Sequence, residues 1–402
     1  MDSTGLAILS KLIRLGQRKQ VCLQWIPLHV GVPGNAAADE LAGRGCDLSN
    51  PCSTVLSHSE IHSLQRTKMS DLAKPSCSPL ENKLCVWKFP APVSSMNDDA
   101  ENDVDDDPQV VSTMSFKGCV TDLKVVSDDL IFASSSLGSV FLYRYSDQLQ
   151  CIHTWEKLHS FQNDTASATG ISVKGQDVAT VGEDGKLYLL NFNVNQKIRE
   201  IGSSDLCSFT CVSYLRHHEV VAGNSLGYLR LWDLRSASDA SSNLLTLSRE
   251  QTSVTCMNTH PTQSHILATG YDDGSLCIWD MRQDRKPMSL LEGHLAAVTE
   301  LLFHPTNPDY LYTCSLDSSV WQWDASNLRN PVSAFPAALD SQEQGFTKGN
   351  PWLNCDAYKH KLEITSLSGQ TWSCVNSLDL SESTLIWGTD NEELCILNDI
   401  TV

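Results

Sequence analysis

An all-β fold, a propeller of repeated blades, is the class this sequence predicts, and three observations carry it. First, one phrase recurs: a short apolar run, a tight polar turn, then a run ending in an aromatic or bulky residue. Its clearest copies are Ala268-Thr269-Gly270-Tyr271-Asp272-Asp273-Gly274-Ser275-Leu276-Cys277-Ile278-Trp279-Asp280 and Val221-Ala222-Gly223-Asn224-Ser225-Leu226-Gly227-Tyr228-Leu229-Arg230-Leu231-Trp232-Asp233. Second, aligning the last strand of each copy brings Trp87, Tyr143, Leu190, Trp232, Trp279, Trp323 and Leu397 to one position. A unit of this content repeating every roughly 40–45 residues is a propeller blade, and seven aligned positions predict seven blades. Third, Asp184-Gly185, Asp273-Gly274 and Asp317-Ser318 stand at a fixed offset before that position, with Thr180, Thr269 and Thr313 in turn before them. Gly accepts positive φ in such turns, and Asp bonds neighbouring backbone.

The elements follow in chain order. Residues 6–20 place Leu6, Leu9, Leu12 and Ile13 at helical spacing, which predicts a helix. Residues 21–27 read as a strand, and a second helix opens at Asn35 as N-cap before Ala36-Ala37-Ala38-Asp39-Glu40-Leu41-Ala42. Residues 1–70 stand apart from the repeat, and 71–82 form a junction. The propeller is expected over 83–402 with an incomplete first blade. Its last strand, Lys83-Leu84-Cys85-Val86-Trp87-Lys88-Phe89, is present, but only a polar stretch precedes it. A blade short of strands leaves its neighbours' apolar faces uncovered, and residues 21–26 carry no register signal that would place them there. Residues 97–108 hold seven acidic and no basic residues and read as a solvated loop. Further blades fall at 120–145, 169–192, 209–234, 254–281 and 298–324, and the polar stretch 327–350 is an insertion before the last.

The formal net charge of −19 is uneven: eight basic and six acidic residues up to Lys74, then 21 basic and 42 acidic. An acidic repeat body argues against binding phosphate backbones as its main task. The 15 cysteines are scattered, without a Cys-x-x-Cys pair, and Cys277 and Cys395 sit in apolar strand-like runs. They read as reduced core residues of an intracellular protein. No apolar run reaches the roughly 20 residues a bilayer span needs, and the N-terminus lacks the apolar core of a secretory signal. No Gly-x-Ser-x-Gly elbow, phosphate loop or metal-spaced cluster occurs, so neither enzyme chemistry, cofactor nor metal is expected.

The repeats resemble the WD40 family. In that family a turn Asp, a strand Ser or Thr, a His from a preceding Gly-His and the strand Trp form a buried hydrogen-bonded set. Here Gly293-His294, Thr313, Asp317 and Trp323 match it in the sixth blade, and the other blades lack the His. The resemblance makes His294 structural rather than catalytic.

Over about residues 5–70, Trp25-Ile26-Pro27, His29-Val30-Gly31, Gly34-Asn35 and Ala38-Asp39-Glu40-Leu41-Ala42 resemble the end of a retrotransposon-type ribonuclease H domain, a partial α/β fragment. That family cleaves RNA paired with DNA through two Mg²⁺ ions held by four carboxylates. Asp39 matches the last carboxylate, and His29 the histidine that assists product departure. The other three positions have no match, and one carboxylate cannot hold two such ions. The resemblance therefore implies a vestigial, inactive nuclease, with nucleic-acid binding and hybrid cleavage as an alternative reading.

Over about residues 80–402, Val181-Gly182-Glu183-Asp184-Gly185, His260-Pro261-Thr262-Gln263, Leu301-Leu302-Phe303-His304-Pro305-Thr306-Asn307-Pro308 and Pro351-Trp352-Leu353 are similar to the nucleoporin forty-three family. Its members are small WD-repeat subunits of the Y-shaped outer-ring scaffold of the nuclear pore. The resemblance implies a non-catalytic scaffold at the nuclear envelope, with other nucleoporins as partners. Roles in pore assembly, transport of mRNA and protein between nucleus and cytoplasm, and kinetochore attachment in mitosis come with it. A competing resemblance lies in Trp232-Asp233-Leu234-Arg235 and Trp279-Asp280-Met281-Arg282. Such Trp-Asp-x-Arg boxes are similar to those of cullin-RING ubiquitin-ligase substrate receptors, where the Arg meets an adaptor. The plainer reading is that Arg235 and Arg282 end strands and pair with nearby carboxylates.

Overall fold

The computed structural model describes residues 10–14, 20–26 and 82–88 and most of 109–400; for 10–14 and 20–26 it describes the backbone alone. The longer stretches outside the description are 27–81, 89–108, 237–242, 247–251, 327–349 and 354–361. Among the described residues the regular structure is mostly strand, with a 3-10 turn at Pro351–Leu353.

The strands form antiparallel sheets in chain order. The first holds β1 (Ser10–Arg14), β2 (Gln20–Ile26), β3 (Asn82–Lys88) and β4 (Gln109–Phe116). The second holds β5 (Val120–Val125), β6 (Leu130–Ser135), β7 (Val140–Tyr145) and β8 (Leu149–Trp155). The third holds β9 (Ala168–Lys174), β10 (Asp177–Gly182), β11 (Lys186–Asn191) and β12 (Gln196–Gly202). The fourth holds β13 (Phe209–Arg216), β14 (Glu219–Asn224), β15 (Tyr228–Asp233) and β16 (Asn243–Thr246). The fifth holds β17 (Val254–Thr259), β18 (Ile266–Tyr271), β19 (Ser275–Asp280) and β20 (Ser289–Glu292). The sixth holds β21 (Val298–Phe303), β22 (Tyr310–Ser315), β23 (Val320–Asp324) and β24 (Glu363–Ser366), and the last β25 (Val375–Leu380), β26 (Thr384–Thr389) and β27 (Leu394–Asn398).

The first strand of each sheet lies against the first strands of its neighbours, and β1 contacts both β5 and β25, so the sheets close a ring. Seven equivalent blades with an incomplete first one were the sequence expectation. That expectation is corrected: among the described residues the complete four-stranded blades number six, the first among them, and the remaining sheet, the last, has three strands.

The N-terminal segment gives the largest correction. Within the helix expected over 6–20 the described residues 10–14 form β1 instead, which pairs β2 with Leu12 opposite Cys22 and Ile13 opposite Val21. In turn β2 pairs β3, Leu23 facing Val86 and Trp25 facing Leu84. Thus residues 10–14, 20–26, 82–88 and 109–116 share one sheet, whereas the sequence separates a partial α/β ribonuclease H-like fragment from a propeller. Four apolar positions do not distinguish a helix from a strand, and tertiary context overrides so weak a local preference. The context is a gap between β25 and β5 and an unpaired edge on β3. Leu84 and Val86 are fully buried once that edge is covered. The second expected helix, at 35–42, and the acidic loop 97–108 lie outside the described residues, as does the junction except for Asn82, which opens β3.

The seven aligned positions fall in the third strand of each sheet, which in the six four-stranded sheets is not the last: Trp87 in β3, Tyr143 in β7, Leu190 in β11, Trp232 in β15, Trp279 in β19, Trp323 in β23 and Leu397 in β27. The fourth strands escaped the pattern because they are mostly exposed, β12 showing one buried residue in seven. Middle strands such as β18 and β19 are buried on both faces, since each blade is covered on either side by a neighbour.

A repeated bond stitches the inner strands together. Thr121, Thr169, Thr255 and Thr299 each stand second in an inner strand and donate to the carbonyl of Ala168, Phe209, Val298 and Val375 in the next blade. Two carboxylates add to it: Asp122 accepts the Ile171 N–H at 2.8 Å and Glu300 the Leu378 N–H at 2.9 Å. These bonds satisfy buried backbone groups across interfaces where no ladder runs.

Candidate functional site

Because neighbouring strands are antiparallel, the connections alternate between the two ends of the ring. Turns between second and third strands share one end, the upper, with the links from an outer strand to the next inner strand. Turns between first and second strands, and between third and fourth, occupy the lower end.

At the upper end of the sixth blade the structure brings His294, Thr313, Asp317 and Trp323 together. His294 follows β20, Thr313 lies in β22, Asp317 in the β22–β23 turn and Trp323 in β23. The Trp323 Nε1–H donates to Thr313 Oγ1 at 2.9 Å, and Thr313 Oγ1 lies 2.7 Å from His294 Nε2. On the other side of the ring His294 Nδ1 is 2.7 Å from Ser319 Oγ and 3.5 Å from Asp317 Oδ2, while the Ser319 hydroxyl donates to Asp317 Oδ1. An ionised carboxylate only accepts, so the protons run one way. Ser319 gives its proton to Asp317 and accepts from His294 Nδ1–H. Nε2 then accepts from Thr313, whose oxygen takes the indole proton. Burial pushes the Asp317 carboxyl up, but hydrogen bonds from His294, Ser319 and the Leu295 and Ser319 backbone outweigh it and hold the group well below the usual carboxylate range.

A second such set was not legible in sequence. His159 is fully buried in the link before β9, with Nδ1 2.8 Å from Asp184 Oδ1 and Nε2 3.3 Å from Thr180 Oγ1. The reading that blades other than the sixth lack the His is thereby corrected. The missing signal was a glycine. A Cβ on Gly293 would lie 2.3 Å from Trp321 Cζ3 and 2.8 Å from Trp323, so the residue before His294 must be small. The third blade has Tyr188 and Leu190 at the places of Trp321 and Trp323, and there Leu158 packs into the core before His159. The fifth blade uses a third version: Trp279 Nε1–H donates to Thr269 Oγ1 at 2.9 Å, with the Tyr271 hydroxyl 3.4 Å from that oxygen in place of a histidine.

The lower end carries the two arginine boxes. Arg235 forks onto Asp233 through Nε at 2.9 Å and a terminal nitrogen at 2.7 Å, and Arg282 onto Asp280 at the same two distances. Each guanidinium thus engages the aspartate two residues before it. Asp280 is nearly inaccessible, at 1% side-chain exposure against 34% for Asp233. The side-chain bond from Arg235 lowers the Asp233 carboxyl to about 2, and that from Arg282 lowers Asp280 in the same sense.

Also at the lower end, the His-Pro-Thr motifs build two equal turns. His260 Nδ1 accepts the Gln263 N–H at 3.1 Å, and His304 Nδ1 the Asn307 N–H at 3.0 Å. The insertion expected over 327–350 before the last blade falls instead within the sixth, between β23 and β24, and ends in an anchor. Asn350 is buried against His260, and Trp352, fully buried beside Phe303, donates its indole N–H to Pro308 O at 2.7 Å. Residues 327–349 themselves, and the ribonuclease H positions His29 and Asp39, lie outside the described residues. Among the described residues no group of three or more His, Cys, Asp or Glu side chains is arranged to hold a metal ion, and the cysteines are free.

Comparison with known proteins places these features. Residues 168–347 match the family model of the nucleolar protein 10-like N-terminal domain, a β-propeller. The chain is 33% identical over 341 residues to nucleoporin Nup43 of Mus musculus, which covers 80% of this chain and 89% of the mouse protein. To nucleoporin Nup43 of Homo sapiens it is 33% identical over 337 residues, 79% of this chain and 88% of the human one. The nuclear pore complex protein nup43 of Dictyostelium discoideum is 30% identical over 115 residues, 28% of this chain and 27% of that protein. With a third of positions shared over nearly the whole of the mammalian proteins, this WD-repeat propeller belongs to the nucleoporin Nup43 family.

Proposed function

We propose that the chain is a non-catalytic scaffold subunit of the nuclear pore, built into the Y-shaped outer ring beside other nucleoporins. The single observation that carries this reading is the match to nucleoporin Nup43 across about nine-tenths of the mouse relative. The buried histidines support a scaffold rather than a catalyst: His159 and His294 spend both ring nitrogens on neighbouring side chains. Placement at the nuclear envelope, support of transport and pore assembly, and kinetochore attachment in mitosis follow as parts of the same proposal. The test is affinity purification of the tagged full chain from nuclear envelopes, followed by quantitative mass spectrometry. Outer-ring nucleoporins recovered in stoichiometric amounts are the expected result. Their absence from a well-expressed, folded protein contradicts the proposal.

A further inference from the structure

The upper end of the sixth blade presents an apolar knob on a rigid base. Leu295 is 85% exposed, the highest value among the large apolar side chains described. Its backbone is nevertheless fixed: the Leu295 N–H donates to Asp317 Oδ2 at 2.7 Å, and His294 beneath it stacks on Trp321 with ring centroids 4.5 Å apart. The neighbouring turn brings up Leu316, 40% exposed, whose N–H donates to Ala297 O at 3.0 Å. Leu295, Ala296, Ala297 and Leu316 therefore make one apolar patch whose conformation is set in advance, so little ordering entropy is left for a partner to offset.

The rim of the patch is acidic. Gly274, at φ 88°, is so close that an added Cβ would meet His294 O at 2.3 Å and Ala296 O at 3.0 Å. The Asp272-Asp273-Gly274 turn thus lies directly against the patch on the fifth-blade side. Glu292 at the end of β20 and Asp317 itself complete the surround. Among the described residues, the upper-end turns of the fifth, sixth and last sheets carry no Lys or Arg. An apolar centre inside a ring of one charge sign selects a partner of the opposite sign through steering and exclusion of like charge.

We infer that the Leu295–Leu316 patch docks a basic amphipathic segment of a partner protein, one that lays an apolar stripe on the leucines and its Lys or Arg residues on Asp272, Asp273 and Glu292. In rim residues and partner class the inference deepens the scaffold reading and rests on it. Its test does not.

The full chain is titrated into two fluorescent 15-residue peptides, one with leucines at helical spacing and lysines elsewhere, the other with glutamate for every lysine. Binding is followed by anisotropy. The lysine peptide is expected to bind and the glutamate peptide not, with affinity falling as salt rises. The decisive variant is Leu295→Asp, which keeps the backbone bond to Asp317 and adds one more acid. Purely electrostatic attraction would then tighten binding, whereas docking on the leucines predicts a loss of at least about tenfold. Leu316→Ser, which leaves the charge unchanged, is expected to weaken binding in the same direction. Arg235→Ala, at the other end of the ring, leaves it unchanged. Equal or tighter binding by Leu295→Asp, or no discrimination between the peptides, overturns the inference. If the peptide results hold and the chain fails to co-purify with outer-ring nucleoporins, the scaffold reading falls and the docking surface stands. If co-purification holds and Leu295→Asp binds as the wild type does, the surface falls and the scaffold stands.

Discussion

Thr313 Oγ1 lies 2.7 Å from Nε2 of His294 while accepting the indole proton of Trp323 at 2.9 Å. One hydroxyl, fully buried in β22, thereby satisfies a ring nitrogen from the link before the blade and an indole from the strand beside it. Val has almost the same shape, so Thr313→Val opens no cavity but leaves two buried polar groups without a partner. Each such group costs about 1–3 kcal/mol, so a loss of about 2–6 kcal/mol is expected in urea unfolding. Thr180→Val, where Leu190 stands in place of the tryptophan, orphans His159 alone and is expected to cost about half as much.

Asp317 gives the set a pH signature. Its carboxyl is held below the usual range in the folded chain, so its contribution is fully present above the unfolded value of about 3.9 and is lost as pH falls toward the folded value. The stability gap between wild type and Asp317→Asn is therefore expected to stay constant from pH 8 to about pH 5 and to close below about pH 4. Urea titrations at stepped pH read this directly. A gap that widens on acidification contradicts the assignment.

The arginine forks differ in what lies beneath them. Arg282→Ala strips the partner from a carboxylate with 1% exposure, whereas Arg235→Ala uncovers one that water reaches. Leaving a buried charge unpaired costs more than losing a surface pair. Thermal unfolding is thus expected to rank Arg282→Ala clearly below Arg235→Ala, with the latter close to wild type.

Ring closure makes β2 a middle strand, bonded to β1 on one side and β3 on the other. Proline there removes a ladder donor, which sheets tolerate only at edges and bulges. Leu23→Pro is expected to lower the melting temperature by roughly 1 °C for each kcal/mol of lost pairing in a propeller of this size. An unchanged melting temperature would place residues 20–26 outside the ring.

Much of the propeller was legible because its signals are local. The third strands end in Trp232, Trp279 and Trp323, and the turns pair Asp with Gly at fixed spacing, so blades and turns could be read strand by strand. The sixth-blade set was legible because Gly293-His294 is demanded by the two tryptophans it abuts. His159 was not, because smaller neighbours at 188 and 190 relax the need for glycine. Strands β1 and β2 were illegible for a different reason. Their partner β3 begins 56 residues after Ile26, and what places them is an unpaired edge and a gap that no local pattern announces. The exposed Leu295 carried no sequence signal either, since its meaning depends on Asp317 fixing its backbone and on the acidic turn beside it.

The central claim, that strands β1 and β2 close the ring of a WD-repeat scaffold, is tested most directly by cutting the chain after it has folded. A specific protease site is placed between residues 27 and 81 of the full-length protein, the folded protein is cleaved, and the product is examined by size exclusion and native mass spectrometry. The account predicts that both pieces elute together at the mass of the intact chain and separate only on unfolding. An N-terminal piece that elutes alone, leaving the remainder with an unchanged melting temperature, would contradict it.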